Sequence, residues 1–161
     1  MGLAGEFLVA GELLRRDIMA AVTYGNAKKA DVVAIRGSRA TSLEVKTTSG
    51  TKWVLGGSIP EDSESLWVLV HLPPEELASP EYYILTSAEL RRLILPQHDA
   101  YNERYKLKHG KDYSAAGVVS VQRALISAEH RGAWGKVKSA VAVEQRVAPD
   151  KGRGGAAVAS R

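Results

Sequence analysis

The most restrictive stretch of this chain is Leu43-Glu44-Val45-Lys46-Thr47, where apolar and charged side chains alternate. A period of two marks a strand, so Leu43 and Val45 point one way and Glu44 and Lys46 the other. A carboxylate and an ammonium then share one face, about 7 Å apart along the strand. Just upstream, Asp31-Val32-Val33-Ala34-Ile35 reads as a partner arm and Arg36-Gly37-Ser38-Arg39 as the turn to Ser42–Thr47. Together they predict a hairpin, and pairing its arms brings Asp31 toward Glu44.

The remaining elements follow from periodicity and punctuation. Gly5 to Arg16 reads as the first helix, with Leu3, Phe7, Ala10 and Leu14 at helical spacing, and Val9 with Leu13 likewise. Glu12, Arg15 and Arg16 take its wet side. Ile18–Thr23 is short, apolar and branched, a strand, and Tyr24-Gly25-Asn26 a turn. Trp67-Val68-Leu69-Val70-His71-Leu72 is an apolar run suited to a central strand covered on both faces. Tyr82–Leu85 is another strand, and Thr86-Ser87-Ala88-Glu89 has the form of a capping box. The helix it opens carries Leu90, Leu93 and Ile94 and is expected to stop at Pro96. Tyr101–Lys108 and Val118–Ala128 read as helical, and Trp134 as the last core residue. The order predicts one α/β domain, a mixed sheet with helices against it, over residues 1–138. Residues 139–161, rich in Ala, Gly and Val with scattered Arg and Lys, are expected to form a disordered basic tail.

Composition limits the chemistry. The chain has 161 residues, enough to bury one core. It has no cysteine, which excludes disulfides, thiolate catalysis and Cys-bound zinc and fits a cytoplasmic setting. No run approaches the ~20 apolar residues of a membrane helix, and Met1–Glu6 has neither a basic leader nor a convincing acylation pattern. The net charge of +4 mildly favours a polyanion partner, but residues 139–161 hold four basic and two acidic side chains, half of that excess.

Glu6 on the first helix, Asp31, and the pair Glu44 and Lys46 form a set with a shared chemical logic. A hard cation such as Mg²⁺ takes oxygen ligands, commonly a few carboxylates with water and substrate phosphate. Asp31 and Glu44 supply carboxylates, and the backbone carbonyl of Val45 a third oxygen. Such a metal acidifies water and neutralises phosphate charge. Lys46 would orient the nucleophile and oppose developing charge. Glu6 would complete a second metal position or hold a water. Charged groups in a sheet beside a core are costly unless paired or metal-bound, so the first helix is expected to close the Glu44–Lys46 face.

Gly5–Leu14, Ala30-Asp31-Val32-Val33-Ala34 and Leu43-Glu44-Val45-Lys46-Thr47-Thr48, with the aromatic stretch Lys52-Trp53-Val54-Leu55 soon after, resemble the motifs of the PD-(D/E)xK nuclease superfamily. That group includes restriction endonucleases and archaeal Holliday-junction resolvases. The resemblance covers about the first half of the chain, and Ala30 stands where the motif's proline would be. It implies a restriction-endonuclease-like, four-stranded mixed sheet flanked by helices. It also implies Mg²⁺ dependence, with Mn²⁺ able to substitute, and DNA as substrate, the enzyme acting singly or as a homodimer. Residue by residue, it matches Asp31 and Glu44 to the metal-binding acids, Lys46 to the catalytic lysine and Glu6 to the helix acid.

Plainer readings stand beside these. Glu44 and Lys46 alternatively form a solvated edge, Asp31 a loop end, and Glu6 a first-turn acid on the helix dipole. Lys28, Lys29 and Lys52 are candidates for phosphate contacts or simply solvated lysines. Trp53 is a candidate for base stacking or a cap on the core. The four histidines show no metal-ligand spacing. The rival to a DNA endonuclease is a nuclease fold that no longer cuts and serves as a DNA-binding or protein-interaction module.

Overall fold

The computed structural model describes residues 2–24, 30–75, 77–111 and 118–142. Among these, the chain runs α1 (Gly2–Leu14), β1 (Met19–Val22), β2 (Val32–Arg36), β3 (Arg39–Thr48), β4 (Lys52–Gly56), β5 (Leu66–His71), β6 (Glu81–Thr86), α2 (Ser87–His109), β7 (Val119–Gln122) and α3 (Gly135–Ala140), with two short 3₁₀ turns between β7 and α3. The main sheet has the order β1-β2-β3-β5-β6. Only β3 and β5 run parallel; the other pairs are antiparallel. The expected mixed α/β sheet flanked by helices is therefore present, with five strands rather than four. A second sheet, β4 with β7, is not hydrogen-bonded into it. No helix among the described residues is long and apolar enough to cross a membrane.

Each face of the main sheet carries its own core. On one, Val9, Ala10 and Leu13 of α1 and Val137 of α3 pack on Val32, Leu43, Val45, Val68 and Ile84. On the other, Leu90 and Ile94 of α2, with Trp53, Leu55 and Val121 of the small sheet, pack on Trp67, Leu69, Tyr83 and Leu85. Strand β5 is buried at all six positions because both faces are covered, as its unbroken apolar run predicts.

Helix α1 is apolar nearly all round, so its sequence offers two candidate stripes. The one against the sheet is Gly5, Glu6, Val9, Ala10 and Leu13. Leu3, Phe7 and Leu14, from the other stripe, are each about half exposed (51–52 %). The helix ends in a left-handed Asp17 (φ 58°). There the Asp17 amide donates to the Leu14 carbonyl and the Ile18 amide to that of Leu13, a paired closure that brings the buried Ile18 onto Leu13.

Three boundaries differ from expectation. Helix α2 continues through Pro96 to His109. Proline there removes one donor, the amide that would reach the Arg92 carbonyl, but Arg92 is exposed, where water can serve that carbonyl. Gln97 reinforces the next carbonyl, its Nε2 donating to Leu93 O at 2.6 Å. Val118–Ala128 is not an α-helix: Val119–Gln122 is a strand paired with β4, its branched, alternating side chains suiting that role, and a 3₁₀ turn follows at Arg123–Leu125. The expected domain boundary at Ser139 falls inside α3, and Val141 is fully buried in the α1-side core. Residues 143–161, the bulk of the expected tail, lie outside the described residues.

Candidate active site

The hairpin forms with Val32 opposite Leu43 and Arg36 opposite Arg39. Extending that register by one residue sets Asp31 opposite Glu44. Strand β2 has ended there, while β3 continues to Thr48 with β5 along its other edge. Among the described residues, therefore, one edge of β3 has no strand paired to it from Glu44 onward.

Asp31 fills the start of that open edge. Its Oδ2 accepts a hydrogen bond from the Val45 amide at 2.8 Å, in place of the ladder bond β2 would have made. Asp31 is 7 % exposed. Its own backbone is tied on both sides, its amide donating to Leu43 O and its carbonyl accepting from Thr23 N, both at 3.0 Å. A residue in a strand sends its N–H and C=O to the same edge. The Val45 carbonyl thus also faces the open edge, beside the Asp31 carboxylate.

Glu44 and Lys46 lie on the face opposite α1. The parallel register pairs Glu44 with Trp67 and Lys46 with Leu69, residues of the α2-side core. Helix α1 instead meets β3 on the Leu43, Val45 and Thr47 side: a Cβ built on Gly5 would stand 1.9 Å from Thr47 Oγ1. The expectation that α1 closes the Glu44–Lys46 face is thereby corrected. The cost of placing these charges in a sheet is met differently, since both positions are only half-buried and Lys46 Nζ lies 5.9 Å from the centroid of the Trp67 ring.

Glu6 sits on the sheet-facing stripe of α1, 7 % exposed and beyond the first turn of the helix, so the reading as a first-turn acid on the helix dipole does not hold. It reaches the sheet on the other side from Glu44 and Lys46. Among the described residues no three His, Cys, Asp or Glu side chains group closely enough to hold a metal. Glu6 approaches from the α1 side, and the donors gathered at the open edge itself are fewer. The narrower donor set is the Asp31 carboxylate and Val45 carbonyl at the open edge, with Glu44 the facing acid. These hard oxygen donors suit Mg²⁺ completed by water and phosphate.

The nucleic-acid candidates separate. Lys28 and Lys29 lie outside the described residues. Lys52 is exposed at the start of β4. Of the two readings of Trp53 the core one holds and the stacking one does not: it is fully buried, donates its Nε1 proton to Val70 O at 2.8 Å, and meets Tyr83 edge-on with ring centroids 5.7 Å apart. Trp67, in sequence only part of an apolar run, proves to neighbour both Glu44 and Lys46. Cross-strand register reveals this and local pattern does not. Thr47 Oγ1, pressed against Gly5, is buried with no hydrogen-bond partner among the described residues.

The chain is similar in structure to Hjc, a Holliday junction resolvase of Archaeoglobus fulgidus, at 14 % sequence identity over 78 % of this chain and 86 % of that one, with a TM-score of 0.44. That likeness assigns no residue of this chain a role. No protein-family model matches the sequence, and no curated protein does.

Proposed function

We propose that this chain is a metal-dependent endonuclease of the PD-(D/E)xK kind, hydrolysing phosphodiester bonds in DNA. The observation that supports this most is the hydrogen bond from the Val45 amide to Asp31 Oδ2. It fixes an acid from one strand against the middle residue of Glu44-Val45-Lys46 on the next, at an edge where no strand intervenes.

In this reading Asp31, Glu44 and the Val45 carbonyl hold the cation. When bound there, a divalent metal supplies Lewis acidity toward a phosphate oxygen and toward water. Lys46 leaves the same strand face as Glu44, orients the attacking water and opposes charge developing on the phosphorus centre. Glu6 serves the same edge from the α1 side, one residue from the Gly5 backbone that lies on Thr47. Exposed Lys52 contributes to holding the phosphate backbone.

The test is supercoiled plasmid with the purified chain and Mg²⁺ or Mn²⁺. Nicking that stops with a chelator is expected. Lys46→Ala should lower it by at least about 100-fold, within the range for loss of a transition-state charge partner, while DNA still shifts in a gel. Native-rate cutting by Lys46→Ala would overturn the role of that lysine. Binding by wild type without nicking under either metal would favour the non-cutting module instead.

A further inference from the structure

Lys46 and Trp67 are not register partners. The register sets Leu69 beside Lys46 and Trp67 beside Glu44, two pairs earlier along the strands. Lys46 Nζ nevertheless lies within 5.9 Å of the Trp67 ring centroid. The Lys46 ammonium and the Trp67 indole therefore approach each other diagonally across β3 and β5, on the face that Glu44 shares. The ring is well placed to hold it there. Trp67 is 8 % exposed and packed in the α2-side core with Leu69 and Leu85, so the indole is fixed as a wall.

We propose that Trp67 is a positioning residue, whose ring face holds the Lys46 ammonium on the strand face it shares with Glu44 for phosphodiester hydrolysis; this rests on the nuclease reading above. A flexible four-carbon ammonium between a carboxylate and an anionic substrate has an obvious competing state, an ion pair with Glu44. That pair would take the carboxylate from the metal and the ammonium from the phosphate together. A ring face avoids this. It attracts the cation through its quadrupole, carries no charge to neutralise it, and leaves the three N–H donors to be shared with water and phosphate. It also narrows the rotamers a lysine must lose on ordering. The wall and the acid it borders belong to adjacent parallel strands, so their spacing is set by the sheet.

The experiment compares wild type, Trp67→Phe and Trp67→Met in full-length protein, by plasmid nicking with Mn²⁺ and by NMR of the Lys46 ε-methylene protons. Phenylalanine keeps a ring face; methionine fills similar space without one. Trp67→Phe is expected to keep kcat within about 3-fold, and Trp67→Met to lower it roughly 5- to 30-fold with KM little changed. In wild type the ε-protons should be displaced upfield by the indole ring current, and Trp67→Met should abolish that displacement. Equal rates for Trp67→Met and wild type, or equal damage from both variants, would overturn the inference while leaving the nuclease reading intact. Wild type that never nicks overturns the nuclease reading and this role with it. Should Trp67→Met fail to fold, wild-type ε-protons without upfield displacement overturn the inference by themselves.

Discussion

The Val45 amide donates to Asp31 Oδ2 at 2.8 Å, so one carboxylate both closes a gap in the sheet and faces the open edge of β3. The structural and chemical duties of Asp31 are separable by substitution. Asn keeps an acceptor of the same shape and loses the charge; Ala loses both. Asp31→Ala leaves the buried Val45 amide without its acceptor and should cost about 1–3 kcal/mol in chemical denaturation. Asp31→Asn should cost under about 1 kcal/mol yet nick plasmid no better than Asp31→Ala. An Asp31→Asn protein that cuts at the native rate would show that Asp31 serves only the sheet.

The contact between α1 and β3 makes a second, sharper claim. Gly5 meets Thr47 so closely that an added Cβ would lie 1.9 Å from Thr47 Oγ1 and 3.1 Å from its Cβ. Gly5→Ala gains helix propensity, worth up to about 1 kcal/mol, but overpacks the contact, typically at about 1–3 kcal/mol. Net destabilisation is expected. Thr47→Val removes a buried hydroxyl that has no partner among the described residues and keeps the shape; its stability should be unchanged or improved. Thermal melts of both variants decide this. A Gly5→Ala protein as stable as wild type would mean that α1 does not sit on β3 as described.

These two contacts also show how far the sequence could be read. The hairpin was legible because its evidence is local: alternation around Glu44 and Lys46 gives the faces, and a four-residue turn gives the pairing. Those signals suffice to carry Asp31 to the Glu44 end of β3. Which face α1 covers was not legible. Both of its stripes are apolar, and the contact is chosen by the smallest residue, Gly5, meeting Thr47. Glu6 and the Glu44–Lys46 pair consequently reach the sheet from opposite sides. Pro96 misled because a break rule assumes that the lost hydrogen bond matters, whereas the carbonyl involved belongs to the exposed Arg92. Trp53 looked available for a base only while its neighbours were unknown. The partner strand β7 lies more than sixty residues downstream, and no local pattern announces that pairing.

Burial of Trp53 predicts a stability phenotype rather than a binding one. The ring is fully enclosed and its N–H is bonded to Val70 O. Trp53→Ala should cost about 3–5 kcal/mol, enough to unfold a marginal domain. Trp53→Phe keeps most of the apolar contact but loses the indole's hydrogen bond to the Val70 carbonyl, at about 0.5–1.5 kcal/mol. Where Trp53→Phe folds, its affinity for DNA should match that of wild type in a gel shift. A large loss of DNA binding by folded Trp53→Phe would restore the stacking role.

The start of α2 supplies a pH dependence with a definite sign. Thr86 Oγ1 accepts from the Glu89 amide at 3.2 Å and the Glu89 carboxylate accepts from the Thr86 amide at 2.8 Å, closing the capping box that the sequence announces. Lys136, just inside α3, clamps the same carboxylate at 2.5 Å and donates to Ile84 O at 3.0 Å, with His130 Nδ1 also 3.0 Å away. Burial alone would raise the Glu89 carboxyl. The hydrogen bonds from Lys136 and the Thr86 amide, with the charges of Lys136 and His130, outweigh that and hold it below the ordinary carboxylate range. A carboxyl depressed in the folded state stabilises fully above its unfolded pKa, about 4.3 for Glu, and that contribution disappears as pH falls through the folded value. Glu89→Gln keeps the acceptor for Thr86 and loses the charge facing Lys136. It should therefore be less stable than wild type at neutral pH, by about 1 kcal/mol for a partly exposed charged pair. The two should converge as pH drops from about 5 to 3. Urea midpoints across that range test the sign: a gap that stays constant or widens on acidification would show that the Glu89 charge contributes nothing to joining α2 and α3.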